Sequence, residues 1–137
     1  MEPTKIRNAQ TQLDVSESMI DGSKFLKVML KDCLFQDVMM AGTRITDANL
    51  SDLEIEGAQL GGAYIHNIGM PPKGHPLYDP QKKMRPLKFE DCNLEGSVIE
   101  NCNLNGVELK NCNITGLKID GVDVSTLLDE YRKGGGR

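Results

Sequence analysis

Residues 92–116 read CNLEGSVIENCNLNGVELKNCNITG, and this stretch decides which fold the sequence predicts. The triplet CN(L/I) begins at Cys92, Cys102 and Cys112, and a glycine stands two positions after the third letter of each triplet. A ten-residue repeat matches neither the 3.6-residue period of a helix nor the two-residue period of a strand. The segment therefore predicts a repeat architecture.

The underlying period of the chain is five residues. An apolar residue recurs at every fifth position, which we call the centre of a unit, and a small or aliphatic residue stands two positions before it. Residues 13–70 contain twelve such units, with centres from Val15 to Met70, and residues 87–124 contain eight, with centres from Phe89 to Val124. Alternating side chains within each unit predict a short extended piece whose centre faces inward.

The fifth residue of each unit predicts a corner. Two positions after each centre the residue is Gly, Asn or Asp from Asp32 to Asn67 and from Asp91 to Gly121. These residue types best tolerate the positive φ of a tight turn. Glu17 and Lys27 do not fit, so we expect the first coil to be the least regular. Four corners of about 90° would close one coil, and stacked coils would lie ~4.8 Å apart, like neighbouring strands.

Units such as TDANL, EDCNL, ENCNL and KNCNI resemble the A(D/N)LXX repeats of the pentapeptide repeat family. The resemblance covers roughly residues 13–70 and 87–124 and implies an all-β fold, a right-handed quadrilateral β-helix. Twenty units would give about five coils, with the centres and the cysteines buried inside. The motif residues build the coil, so the resemblance implies an architecture rather than a chemistry.

We expect a single domain over residues 1–137, in which residues 1–12 cover the N-terminal end of the coils. Residues 125–133 predict a short C-terminal α-helix with Ser125 or Thr126 as its cap and Gly134 as its stop. Its apolar face would cap the last coil, because open ends of repeat arrays need covering. A homodimer contact through the same face is the alternative.

The segment between the two blocks, residues 71–86, reads PPKGHPLYDPQKKMRP and predicts an inserted loop. Five prolines cannot donate ladder hydrogen bonds, and the net charge of the segment is +3. One interpretation is a tolerated insertion whose Leu77 and Tyr78 pack on aliphatic surface. The other is a partner-binding loop. The candidate binding residues are Lys73, His75, Tyr78, Asp79, Lys82, Lys83 and Arg85.

No catalytic, metal or cofactor site is expected. The cysteines of the repeat lie ten residues apart, unlike the CxxC pairs that bind one ion, and buried reduced thiols are the plain interpretation. His66 and His75 share no ligand spacing, and His66 should face solvent. The glycines occupy corners and do not form a phosphate-binding loop. We therefore expect a protein that is not an enzyme.

The formal charge of −4, without a run of like charges, predicts no direct binding of nucleic acid. The opening residues hold no apolar run, so we expect a cytoplasmic protein without a membrane span. The first functional hypothesis is a protein-interaction scaffold with an unknown partner. The alternative is a DNA-mimic inhibitor or protector of a type II topoisomerase, gyrase, as the resemblance to the quinolone-resistance members of the family implies. The blocks carry −5 and −4, a thin imitation of duplex DNA with one charge per ~1.7 Å.

Overall fold

The computed structural model describes residues 1–135, and the regular elements within them all lie near the C-terminus. Strand β1 spans Lys118–Ile119, strand β2 spans Val122–Asp123, and helix α1 spans Val124–Lys133. The chain forms two compact units, Met1–Ala63 and Tyr64–Arg137, each of which is described by itself. Upstream of β1, both units consist of short extended pieces joined by corners.

A residue with positive φ stands at every fifth position of both repeat blocks, which confirms the predicted corners. In the first unit these residues are Glu17, Gly22, Lys27, Asp32, Asp37, Gly42, Asp47, Asp52, Gly57 and Gly62. In the second unit they are Asn67, Asp91, Gly96, Asn101, Gly106, Asn111, Gly116 and Gly121. Glu17 and Lys27 have φ of 48° and 54°, so the expectation that they break the pattern is wrong. Their position in the repeat therefore determines their backbone conformation, although glutamate and lysine intrinsically prefer negative φ.

The corners are of two alternating types, and this alternation explains the ten-residue repeat. The first type is a hydrogen-bonded β-turn with positive φ at its third residue, as a type II turn requires. Leu104 accepts from the N–H of Val107 at 3.1 Å across Gly106. The side chain of Asn103 accepts from the N–H of Asn105 at 3.0 Å. Asn49, Asn93 and Asn113 make the same contact at their own turns.

In the second block, a thiol spans the second type of corner. Cys102 donates its S–H to the carbonyl of Glu100 at 3.3 Å, across the corner at Asn101. Cys92 and Cys112 do the same across Asp91 and Asn111. Each CN pair therefore supports two corners, because the cysteine spans the corner before it and the asparagine spans the one after it. Thiols are weak donors, so the asparagine contact is the stronger of the two.

The last predicted corner is instead a hairpin. Asp120 and Gly121 both have positive φ, at 47° and 80°, and β1 pairs with β2 in antiparallel register with Ile119 opposite Val122. Two consecutive residues with positive φ define a type I′ turn, which reverses the direction of the chain. The Asp-Gly pair between Ile119 and Val122 is the sequence signal for this turn, which the five-residue reading missed.

Helix α1 begins one residue before its predicted start, and Asp123 is its cap. The Asp123 carboxylate accepts from the N–H of Thr126 at 3.0 Å, so the prediction of Ser125 or Thr126 as cap is wrong. Gly134 ends the helix as predicted, and its N–H bonds to the carbonyl of Glu130. A chain that leaves a hairpin in extended conformation already presents Asp123 in the β region that a cap requires.

The start of α1 lies against the last corner of the repeat. The N–H of Val124 bonds to the carbonyl of Leu117 at 2.9 Å, and the Ser125 hydroxyl donates to the carbonyl of Ile114 at 3.3 Å. Ile114, Leu117, Val124 and Leu128 are all half-buried, whereas the repeat centres upstream are more exposed. The best-covered apolar side chains of the repeat are thus those beside the helix.

The expectation of a buried aliphatic core is wrong for this conformation. Some positions predicted to face inward, such as Ser97, Ile99, Leu104 and Val107, line an open cavity of about 630 Å³ in the second unit, together with residues predicted to face outward, such as Lys118. Among residues 1–135, however, no side chain is fully buried, and Leu104 is 53% exposed. The physical reason is that burial requires lateral pairing of successive coils, and the strand pairing within the described residues is that of β1 with β2. No helix in this part of the chain is long and apolar enough to cross a bilayer.

We expect Asp123→Ala to shorten α1 from its N-terminus, because the N–H of Thr126 loses its acceptor. The cost should be about 1 kcal/mol. Circular dichroism at the helical band, followed during thermal unfolding, measures the loss. Asp129→Ala is the matched control, since that exposed carboxylate sits in the middle of the same helix and caps nothing. Equal effects of the two substitutions would contradict the assigned cap.

Candidate functional site: the basic loop

The basic loop, residues 71–86, is built from three hydrogen-bonded turns. The carbonyl of Pro72 accepts from the N–H of His75 at 3.0 Å, and the carbonyl of His75 accepts from the N–H of Tyr78 at 2.9 Å. The third turn runs from Asp79 to Lys82, at 3.2 Å. Prolines favour such turns because their φ is already fixed near the value that a turn requires.

Two side chains reinforce these turns. The His75 ring accepts at Nδ1 from the N–H of Leu77 at 3.0 Å, and the Asp79 carboxylate accepts from the N–H of Gln81 at 2.9 Å. Both contacts reach two residues ahead, as in Asx turns, and Asp79 is half-buried. Two of the predicted binding residues, His75 and Asp79, therefore make hydrogen bonds inside the loop that stabilise its turns.

The cations of the basic loop point to solvent. Lys73, Lys82 and Lys83 are exposed and make no ion pair within the described residues. Arg85 is also exposed. Lys73 lies within the first turn, Lys82 is the last residue of the third, and Lys83 follows it. The loop thus carries exposed positive charge at its first and last turns.

The apolar side chains of the basic loop are exposed as well. Leu77 is 73% exposed, so the interpretation in which it packs on aliphatic surface is wrong for this residue. Tyr78 is more covered than Leu77 but still exposed. Leu77 lies within the second turn, where its own N–H bonds to His75 Nδ1 and the N–H of Tyr78 bonds to the His75 carbonyl. Its side chain is therefore accessible from solvent.

A stacked ring pair lies just upstream of the basic loop, and sequence reasoning did not find it. The rings of Tyr64 and His66 lie 4.0 Å apart and nearly parallel, and His66 Nδ1 lies 3.2 Å from the Asn67 amide nitrogen. Both rings flank the centre Ile65, and flanking positions share one side of an extended piece. His66 faces solvent as predicted. The spacing of two between the rings was the available signal.

The repeat downstream of the basic loop carries the opposite charge. Residues 89–109 contain five acids and no base, and we call them the acidic run. At its ends Lys88 pairs with Glu90, and Lys110 pairs with Glu108 at 2.8 Å. The hydrogen bond and the charge of Lys88 lower the pKa of Glu90, and Glu90 in turn raises the pKa of Lys88. The acids within the run, Glu95 and Glu100, make no ion pair in the described chain.

The thiols do not form a metal site. Cys33, Cys92, Cys102 and Cys112 are all free and exposed, so the prediction of buried cysteines is wrong. No group of three or more His, Cys, Asp or Glu within residues 1–135 has a geometry that could hold a metal ion. Each thiol contacts a backbone carbonyl two residues earlier, and that role is structural.

The alternating corners define a repeat protein with a five-residue unit, and comparison with protein families gives the repeat its name. Residues 88–125 match the family model of pentapeptide repeats, in eight copies. The match confirms the pentapeptide repeats that the units EDCNL, ENCNL and KNCNI resemble, within residues 88–125, and such repeats generally imply a β-helix solenoid. No curated protein and no solved structure matches the chain significantly.

We expect Asp79→Ala to loosen the third turn of the basic loop, because the N–H of Gln81 loses its acceptor. Hydrogen exchange at the amides of Gln81 and Lys82 should accelerate several-fold, as expected for a turn that loses about 1 kcal/mol. Lys83→Ala is the control, since its side chain makes no hydrogen bond or ion pair within the described residues. Unchanged exchange at Gln81 would show that the carboxylate does not hold the turn.

Proposed function

We propose that the protein is a non-enzymatic interaction scaffold whose basic loop binds an acidic surface of a protein partner. The observation that supports this proposal is the combination of local order with unpaired charge. Five hydrogen bonds within residues 72–82 shape the loop, and Lys73, Lys82 and Lys83 have no ion pair in the described chain. A loop that is ordered before binding loses less conformational entropy when it meets a partner.

Electrostatic contrast also supports the proposal. The chain carries −4 in total, yet the loop carries +3. The positive charge of the loop attracts acidic peptides and acidic protein surfaces at close range. The negative charge of the rest of the chain disfavours large polyanions. Exposed Leu77 and Tyr78 add apolar contact area beside the charges. Specific partners are recognised by such combinations of an apolar anchor and a charged rim.

We propose further that the repeats close into a quadrilateral β-helix of about five coils with α1 as its cap. Positive φ at every fifth residue supplies the corners, and several inward positions of the second unit, Ile99 and Leu104 among them, line the same open cavity. Stacking would pair the extended backbones and remove the half-exposed centres from water. Each fully buried aliphatic side chain contributes about 1.5–3 kcal/mol, so closure has a strong apolar driving force.

Mimicry of DNA remains the second hypothesis, and the charges of the repeat disfavour it. Lys31, Lys88 and Lys110 pair with neighbouring acids within the repeats, so part of the negative charge is neutralised locally. A surface that replaces duplex DNA must present one charge per ~1.7 Å to a protein that binds phosphates. The scaffold proposal therefore takes precedence.

Closure of the coils can be tested at Leu104. In a closed coil, Leu104→Asp would bury a charge in an aliphatic interior and lower the free energy of unfolding by about 3 kcal/mol or more. Asn105→Asp is the matched control, because it adds the same charge at the next position, which faces outward, and should change stability by less than about 0.5 kcal/mol. Denaturant unfolding measures both. Equal stabilities of the two variants would contradict closure.

The scaffold role can be tested by removing the basic loop without disturbing the repeat. Replacing residues 71–86 by Ser-Gly places Met70 and Phe89 five positions apart, with glycine at the corner. We expect this variant to keep the circular dichroism spectrum of the parent and to lose the partner that the parent captures on a column. Mass spectrometry identifies that partner, and an acidic protein is expected.

The control for this experiment is Lys118→Gln, which removes one exposed cation outside the loop and should leave capture unchanged. Capture of the same partner by the Ser-Gly variant would overturn the proposal. A captured partner without an acidic surface would overturn its electrostatic part.

A further inference from the structure

The second unit carries both halves of a charge-complementary pair. The basic loop has a net charge of +3. Within the acidic run, the flanking Lys88 and Lys110 pair with the outer acids Glu90 and Glu108. Of the remaining acids, Asp91 helps to raise the pKa of Lys88, whereas Glu95 and Glu100 make no ion pair within the described residues. Glu95 and Glu100 thus stand against the lysines of the loop.

The chain does not satisfy these charges by itself. Lys73, Lys82 and Lys83 make no ion pair in the described residues, and neither do Glu95 and Glu100. Both groups lie in the unit Tyr64–Arg137. The charges are therefore available to a second molecule.

Each half also presents one aliphatic side chain that is more than 70% exposed. Leu77 is 73% exposed in the second turn of the basic loop, and Val98 is 82% exposed between Glu95 and Glu100. Most repeat centres of this unit are less exposed than Val98, because a residue that precedes a centre faces outward. An apolar contact between Leu77 and Val98 would sit between the charged groups of both halves.

We propose that the basic loop of one copy docks on the acidic run of a second copy, and that the reverse contact forms at the same time. This inference rests on the loop being an interaction element, as proposed above, and names its partner as the chain itself. A two-fold axis makes such an interface self-complementary, so two loops and two acidic runs are satisfied together. Opposite charges steer the encounter, and the Leu77–Val98 contact supplies the apolar centre.

Sedimentation equilibrium of the full chain tests the dimer. We expect a dimer in about 0.1 M NaCl that dissociates towards monomer in about 1 M NaCl, where the Debye length falls from roughly 10 Å to about 3 Å. A loop variant, Lys73→Glu/Lys82→Glu/Lys83→Glu, and a repeat variant, Glu95→Lys/Glu100→Lys, should each raise the dimer dissociation constant at least about tenfold.

Mixing the two variants gives the sharpest readout. The reversed loop of one variant meets the reversed repeat of the other, so the equimolar mixture should recover a heterodimer that neither variant forms alone. A variant that merely failed to fold could not be restored in this way. A control with three reversals outside both halves, Lys5→Glu/Lys24→Glu/Arg44→Glu, should keep the dimer, although it changes the net charge as much as the loop variant does.

A separate arm examines the C-terminal helix, where Leu127 and Tyr131 are about half exposed. Leu127→Ser/Tyr131→Ser should leave the dimer intact. The inference is overturned if the parent is monomeric at low salt, if both charge-reversal variants dimerise as the parent does, if their mixture stays monomeric, or if the helix variant alone dissociates. A monomer whose basic loop still captures an acidic partner would overturn this dimer and leave the proposed function standing.

Discussion

A positive φ at every fifth residue is the constraint on which the rest of the structure depends. Only a corner of that kind lets an extended chain turn sharply without breaking the inward and outward alternation on either side. Gly, Asn and Asp occupy most of these corners, and Glu17 and Lys27 adopt the same conformation where they stand in that place. The repeat therefore imposes a backbone state that neither glutamate nor lysine prefers by itself.

Two kinds of side chain, asparagine and cysteine, stabilise alternate corners of the repeat. In the second block, asparagine supports the hydrogen-bonded turns and cysteine supports the corners between them, so the chemical repeat is ten residues although the geometric repeat is five. Ser18 makes the equivalent contact in the first block, where its hydroxyl donates to the carbonyl of Ser16 at 2.7 Å. Either a hydroxyl or a thiol can thus span this type of corner, although Val28, Val38 and Ala48 at equivalent places supply no donor.

Sequence alone predicted the features that neighbouring residues determine. The corners and the stop of α1 at Gly134 follow from residue type and spacing. Burial was not predicted correctly, because it depends on contacts between residues about twenty positions apart, which no local pattern specifies. The cap at Asp123 and the hairpin at Asp120 were missed because the five-residue register was carried too far, past an Asp-Gly pair with its own turn preference. At the candidate site, charge was predictable, whereas the turns that order the loop and the Tyr64–His66 stack were not.

The type I′ hairpin at Asp120 and Gly121 has a consequence for the length of the repeat array. A hairpin reverses the chain, whereas the corners upstream join successive extended pieces, so these two residues end the series of corners. Since the two corner chemistries alternate upstream of the hairpin, a lengthened or shortened array keeps its phase only when whole pairs of units are added or removed. The growth increment of the repeat is therefore ten residues.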